Sequence, residues 1–327
     1  MNNSGLAASL LASALLTAAA ATPAHAAAPT KMWVAKSGAD SASCGATTAP
    51  CRTFQQAHDN VAAGGAIGVL TPGDYGVVFV SKSVNITNDG AGEAATPIGF
   101  GNVNVRAGPG DVVGLRGLLF DGAGSGSGGI EFDSGSALHI QSCVVRNFTG
   151  TTGAAVGIYF VPSTKAKLFV SDSIIHNNGS GGGGFTGGII VRPGNHADVD
   201  IVLNRVRLEN NVIGLHVDTF STTGDVHVAI RNSVVSGSSG NAMETMADPS
   251  PTSRIIAFVR NSAVIGNAGV GISSFGSSIV AVSAATVARN GAGLSATNGG
   301  QIISYRNNEI DNNTGPDGTP TGFFAPR

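Results

Sequence analysis

The chain has 327 residues, with 48 Gly, 42% hydrophobic residues, only 12% charged and 6% aromatic ones; that balance excludes a helical bundle and a disordered polyelectrolyte. Its formal net charge is −2 and it holds no run of Lys or Arg. The electrostatic footprint of a duplex-binding protein is missing, so nucleic acid is not an expected partner.

In chain order, Leu6 to Ala21 is an Ala/Leu run without charge that leads to Ala24-His25-Ala26, a small-x-small cleavage pattern. Residues 1–26 therefore read as a signal peptide of bacterial type, which sends the mature chain to the periplasm or outside the cell. The alternative is a membrane anchor, for which the run is short, since a bilayer needs about 20 residues. No later stretch is apolar enough to span, so no membrane segment is expected in the mature chain.

Residues 27–75 read as an N-terminal cap region. Cys44 and Cys51 lie seven residues apart in a Gly/Ala/Thr/Pro loop, a spacing that fits a small disulfide ring in an oxidising compartment. Residues 52–63 predict a helix with Phe54, Ala57, His58 and Val61 on one face, stopped by Gly64-Gly65. His58 is placed at the edge of that docking face.

Residues 76–313 are repeats. Seven segments align without gaps from Ile140, Val170, Leu203, Ile230, Val259, Val282 and Tyr305, after a looser copy from Leu115, with starts 25, 30, 33, 27, 29, 23 and 23 residues apart. A coil of fixed cross-section with loops let out of it gives such a pattern. Each copy predicts three short strands by alternation. The first turns Leu138 and Ile140, Leu168 and Val170, Ile201 and Leu203 inward; the second stacks Val145, Ile175, Leu208, Val235, Val264, Val287 and Ile310; the third follows a Gly, as in Gly157-Ile-Tyr-Phe160. Cys143 takes an inward, small-residue position and reads as an inert buried thiol. Asn178, Asn211, Asn267, Asn290 and Asn313 recur at one turn, where Asn tolerates a left-handed bend and stacked amides bond along the axis. Three strands in 23 residues exclude a propeller blade, and no Leu/Asn pattern of a leucine-rich repeat is present. Residues 314–327 form a tail.

The repeat, the asparagine ladder and the stretch from Trp33 through Gly38, Asp40, Cys44 and Pro50-Cys51-Arg52-Thr53-Phe54 to Pro72-Gly73-Asp74-Tyr75 resemble the secreted right-handed β-helix proteins of the pectin-lyase-like superfamily. The resemblance spans roughly residues 31–313 and implies an all-β, right-handed parallel β-helix, capped here by an N-terminal helix. Well-known members bind or cleave acidic polysaccharides on the outer face of one sheet. Their catalytic motifs do not carry over: the Trp-x-Asp-His and Arg-x-Pro-x-x-Arg patterns of pectate lyases, the four polygalacturonase motifs and the Asp-Pro-His-Asp of alginate epimerases are all missing.

Outward positions supply the site candidates. On the third sheet Arg192 should neighbour Asp218, and His216 should neighbour Glu244. Such a group can orient a base and grip a carboxylate, or form a plain surface ion-pair ladder. Arg146, His176 and Glu209 repeat the pattern on the second sheet. On the first sheet His139, Phe169, Val202, Ala229, Phe258 and Ala281 form an apolar stripe, to be covered by Phe323-Phe324 of the tail or by a partner. Arg231, Arg260 and Arg306 run beside it, with Arg231 and Arg260 as ligand-binding candidates for an anionic glycan. The loops 179–186 and 247–253 are expected to lack an aromatic platform for sugars. No cofactor is implied, and no carboxylate cluster has metal-coordination spacing. Two functions follow: a secreted β-helix that binds glycan or serves a surface-structural role, or a lyase or hydrolase of acidic polysaccharide centred on Arg192, His216, Asp218 and Glu244.

Overall fold

The computed structural model describes residues 28–324 apart from 97–99, 152–154, 181–184, 195, 221 and 250–252; the leader expected at 1–26 lies outside the described residues. Among these the strands form three parallel sheets of twelve, ten and nine strands. Each coil contributes one strand to each sheet, as Val226–Arg231, Val234–Ser236 and Met243–Met246 do in one rung. We call the three faces sheets one, two and three, in chain order within a rung.

Register places like on like. In sheet one Leu138, Leu168, Ile201, Val228, Ala257, Val280 and Ile302 face one another in succession, and all are buried. In sheet two the expected stack is buried from Val145 to Val287 and becomes half-buried at Ile310, where the coil ends. The branched side chains recur at one level because the period of a strand is two and the pairing of these strands does not slip.

Each rung must bend twice between sheets one and three, and both bends use a left-handed residue. Ser142, Asp172, Arg205, Asn232 and Asn261 serve the first bend, with φ between 50° and 55°. The second corrects an expectation: its left-handed residues are Asn177, Asn210, Gly237, Gly266, Arg289 and Asn312, each one position before the ladder. The ladder asparagines point inward instead. Asn178 Nδ2 donates to Asn211 Oδ1 at 3.0 Å, Asn267 to Asn290 at 2.8 Å and Asn290 to Asn313 at 3.0 Å, while each also donates to a main-chain carbonyl, as Asn211 does to Ile175 at 2.9 Å. The run breaks at Ser238, which keeps only the bond from its main-chain N–H to Asn267 Oδ1, at 2.9 Å. A serine row, Ser173, Ser233 and Ser262, plays the same part at the first bend. Cys143 stands in that row, buried, with its thiol pushed up to about 11 by burial.

Both ends are capped. The Cys44–Cys51 disulfide forms as expected, and Asn60 Nδ2 ties its loop to the helix end by donating to the Ser41 and Cys44 carbonyls, at 2.9 and 3.1 Å. The helix is shorter than its pattern, Phe54–Asn60, because Val61 turns extended after Thr53 has capped the start. His58 is not at an edge but 2% exposed. Its Nε2 accepts from the Ser81 main-chain N–H at 3.2 Å and its Nδ1 faces Asp59 at 3.2 Å, a neutral tautomer, and burial lowers its pKa.

At the other end the tail differs from its expected role. Gly293 and Leu294 donate to the Pro316 and Asp317 carbonyls, at 3.0 and 2.9 Å, and Gly322–Phe323 pairs with Gln301–Ser304 as a last strand of sheet one. The tail thus satisfies the edge of the final rung, and does not lie over Phe169 and Phe258. No helix among the described residues is long and apolar enough to cross a membrane.

Replacing Asn211 with Ala takes from the Asn178 main-chain N–H and the Ile175 carbonyl their side-chain partner in the interior, and should cost about 2–3 kcal/mol in denaturant unfolding; Asn313→Ala, at the half-exposed end of the ladder, should cost less than half of that. His58 gives a pH signature. Its folded pKa lies below the unfolded value of about 6.5, so its contribution is complete above that value and falls as pH drops through it. A His58→Leu variant should lose this part of the decline in melting temperature between pH 7 and pH 5.

Candidate functional site

Sheet three pairs the four candidates as the register requires. Arg192 Nε reaches Asp218 Oδ2 at 3.0 Å, and His216 Nδ1 reaches Glu244 Oε1 at 2.6 Å. They are not a solvated ladder, however: His216 is 3% and Asp218 6% exposed. The cover is Phe185, whose ring carries the Arg192 guanidinium at 3.5 Å on one side and tilts against His216 at 5.1 Å. Phe185 belongs to the loop 179–186, which corrects the expectation that this insertion holds no aromatic ring. Glu244 has both oxygens engaged, the second by Asn241 Nδ2 at 2.6 Å. Burial alone would raise the Glu244 pKa, but the hydrogen bonds from His216 and Asn241 outweigh it and hold the carboxyl below the usual range. His216 Nδ1 is held by this carboxylate, which turns the other ring nitrogen, Nε2, away from it. That atom is buried and has no partner among the described residues. The arrangement is an oriented imidazole packed against Phe185, beside a guanidinium already committed to Asp218.

The other charges of this face are also answered locally. Arg106 Nε meets Asp133 at 2.6 Å and Asn104 Nδ2 donates to Glu131 at 3.0 Å; burial first, then the Asp133 charge, pushes the Glu131 pKa up. A cavity of about 290 Å³ opens between Tyr159, Arg192 and Asp218.

Sheet one is different. Arg231 and Arg260 are partners across one rung, both exposed. Arg106, Arg116, Arg146, Arg192, Arg205, Arg207 and Arg254 each have a carboxylate partner; among the described residues Arg231 and Arg260 have none. They line two adjoining depressions, of about 660 and 620 Å³, which share Phe258 and Arg260. Phe258 is 48% exposed between two alanines, Ala229 and Ala281, that leave its ring clear. Beside the arginines, Asn261 Nδ2 donates to Asn232 Oδ1 at 2.6 Å and Asn232 to Asn204 at 2.9 Å. The tail closes the far end, with Phe324 against Tyr305 at 4.8 Å and Arg306 over Phe323 at 4.4 Å.

No protein-family model and no curated protein sequence matches the chain. Among solved structures, the crystal structure of pectate lyase Pel9A matches it with a TM-score of 0.60 at 15% identity, over 91% of this chain and 79% of that one. The chain shares the parallel β-helix fold of that structure. At that identity the likeness is one of architecture, and chemistry has to be argued from side chains.

On this β-helix the second-sheet trio does not act as a unit. Arg146, His176 and Glu209 are register neighbours, but Arg146 pairs with Asp121 at 2.7 Å and Glu209 with Arg207. The closest grouping of metal-ligand types among the described residues, Asp40 with Cys44 and Cys51, has both sulfurs locked in the disulfide. Phe185, Tyr305 and the Asn232–Asn261 amides escaped the sequence reading; the last were legible as Arg-Asn repeated after the first strand.

Removing one member of the His216–Glu244 pair leaves the other buried without its partner. His216→Ala should therefore cost about 3–5 kcal/mol of stability, measured by urea unfolding, and the double variant His216→Ala/Glu244→Leu should recover much of it.

Proposed function

We propose that this β-helix binds an anionic polysaccharide on the outer face of sheet one, over Arg231 and Arg260, and does not cleave it. The observation that carries this reading is the contrast between the two faces: the sheet-three charges are paired and covered, whereas Arg231 and Arg260 are unpaired and open, in a depression floored by Phe258. Guanidinium groups supply forked donors to an anion, and an exposed aromatic ring supplies a flat seat for a sugar. The fold shared with a pectate lyase supports a polysaccharide as the partner class. The Cys44–Cys51 disulfide and the leader read at 1–26 support an extracytoplasmic location, secreted or periplasmic.

A second reading rests on one atom. The unpartnered Nε2 of His216, oriented by Glu244, fits a proton-abstracting base of a polysaccharide lyase, with Arg192 available to a uronate carboxylate once it parts from Asp218. It requires Phe185 to move aside.

Incubation of the mature protein with uronic-acid polysaccharides, with and without calcium, separates the two by absorbance near 235 nm and by reducing ends. We expect no product, together with retention on an immobilised anionic glycan that weakens about tenfold, or ~1.4 kcal/mol, in Arg231→Ala/Arg260→Ala and falls with added salt. Turnover that disappears in His216→Ala would replace the binding reading with the lyase.

A further inference from the structure

We infer that Arg231 and Arg260 act together as a chelating pair for one tetrahedral oxyanion ester carried on a glycan, a sulfate or a phosphate, and not as separate contacts to successive carboxylates. This rests on the reading of sheet one as the glycan-binding face.

The distribution of charge along the column is the first reason. In register, that column reads Arg116, Gln141, Ser171, Asn204, Arg231, Arg260 and Ser283. Arg116 is engaged by Asp89 and Arg306, beyond Ser283, is stacked on Phe323, so in this column free cationic charge is concentrated on two adjacent rungs. A chain bearing a carboxylate on every sugar would be met by cations at recurring intervals. One concentrated double charge suits one concentrated anion.

Geometry is the second reason. The two strands are paired neighbours, so the arginine roots stand about 4.8 Å apart. A carboxylate offers two coplanar oxygens, which a single guanidinium fork already fills. A sulfate or phosphate ester offers three terminal oxygens in a tetrahedral array, so two forks arriving from adjacent rungs both find acceptors. Neighbouring sugars of an extended chain are also rotated about its axis, which sets carboxylates on one side of it further apart than one rung. Two guanidiniums rooted on adjacent strands without a carboxylate partner repel each other, and a shared oxyanion relieves that repulsion.

The surroundings complete the site. The ring of Phe258 lies open beside Arg260, as a seat for the sugar that bears the ester. Asn261 lines the same depression, and Ser283 the adjoining one; both offer donors to sugar hydroxyls.

The test uses the mature chain and three polymers with one backbone and matched charge density: dextran sulfate, phosphorylated dextran and carboxymethyl-dextran, compared by affinity electrophoresis. The expected result is that at least one tetrahedral ester binds roughly tenfold tighter than the carboxymethyl polymer, the stronger of the two naming the ester. Arg260→Lys, which keeps the charge and removes the fork, should abolish that preference while retaining carboxymethyl-dextran. Equal retention of all three polymers would overturn the chelating pair and leave the sheet-one reading standing. Retention of none would overturn both.

Discussion

Between one rung and the next, every strand exchanges main-chain hydrogen bonds with its parallel neighbour, so each residue stands over its counterpart a fixed rise away. Parallel pairing without a slip is what brings Arg192 to Asp218 and His216 to Glu244 across 26 and 28 residues of sequence. It also lays Arg231 against Arg260. Loops of different length leave the coil and return to it without disturbing that pairing, because they are inserted at bends and not within strands.

The bends carry the second constraint. A chain that turns sharply twice in each rung has main-chain groups facing inward with no strand to answer them. The asparagine and serine rows answer these groups from one side while the left-handed residues just before them make the turn. Each ladder amide is both a donor to a carbonyl one rung away and an acceptor for the neighbouring rung, which couples successive rungs at a point where no sheet exists. Ser238 shows the limit of substitution there: its hydroxyl is too short to reach across, and Ser238 Oγ is left buried without a partner among the described residues.

The repeat, the three strand positions and the inward columns were legible from sequence because strand alternation and rung period are properties of the chain alone. The disulfide was legible for the same reason, since seven residues of loop leave little choice of partner. What escaped was set by side-chain reach. Arg146 has a register neighbour in His176 on one side and in Asp121 on the other, and only rotamers decide that it pairs with Asp121. Phe185 sits at the end of a glycine-rich loop whose return path no periodicity specifies, and yet its ring packs against His216. The tail read as one of two covers for the apolar stripe, a partner being the other, because Phe323 and Phe324 are large; the stronger demand was for partners to the last rung's main chain.

The shortest coils, from Val259 to Val282 and from Val282 to Tyr305, are 23 residues each and carry a strand in every sheet with no excursion between them. A unit of that kind contacts only its neighbours, and the tail's own side-chain partners, Tyr305 and Arg306, lie in the last rung and outside it. Duplication or loss of one such unit would lengthen or shorten the molecule by about 4.8 Å and leave either end intact. The length of this protein is therefore a heritable variable that can drift in whole steps, independently of the chemistry displayed on its faces.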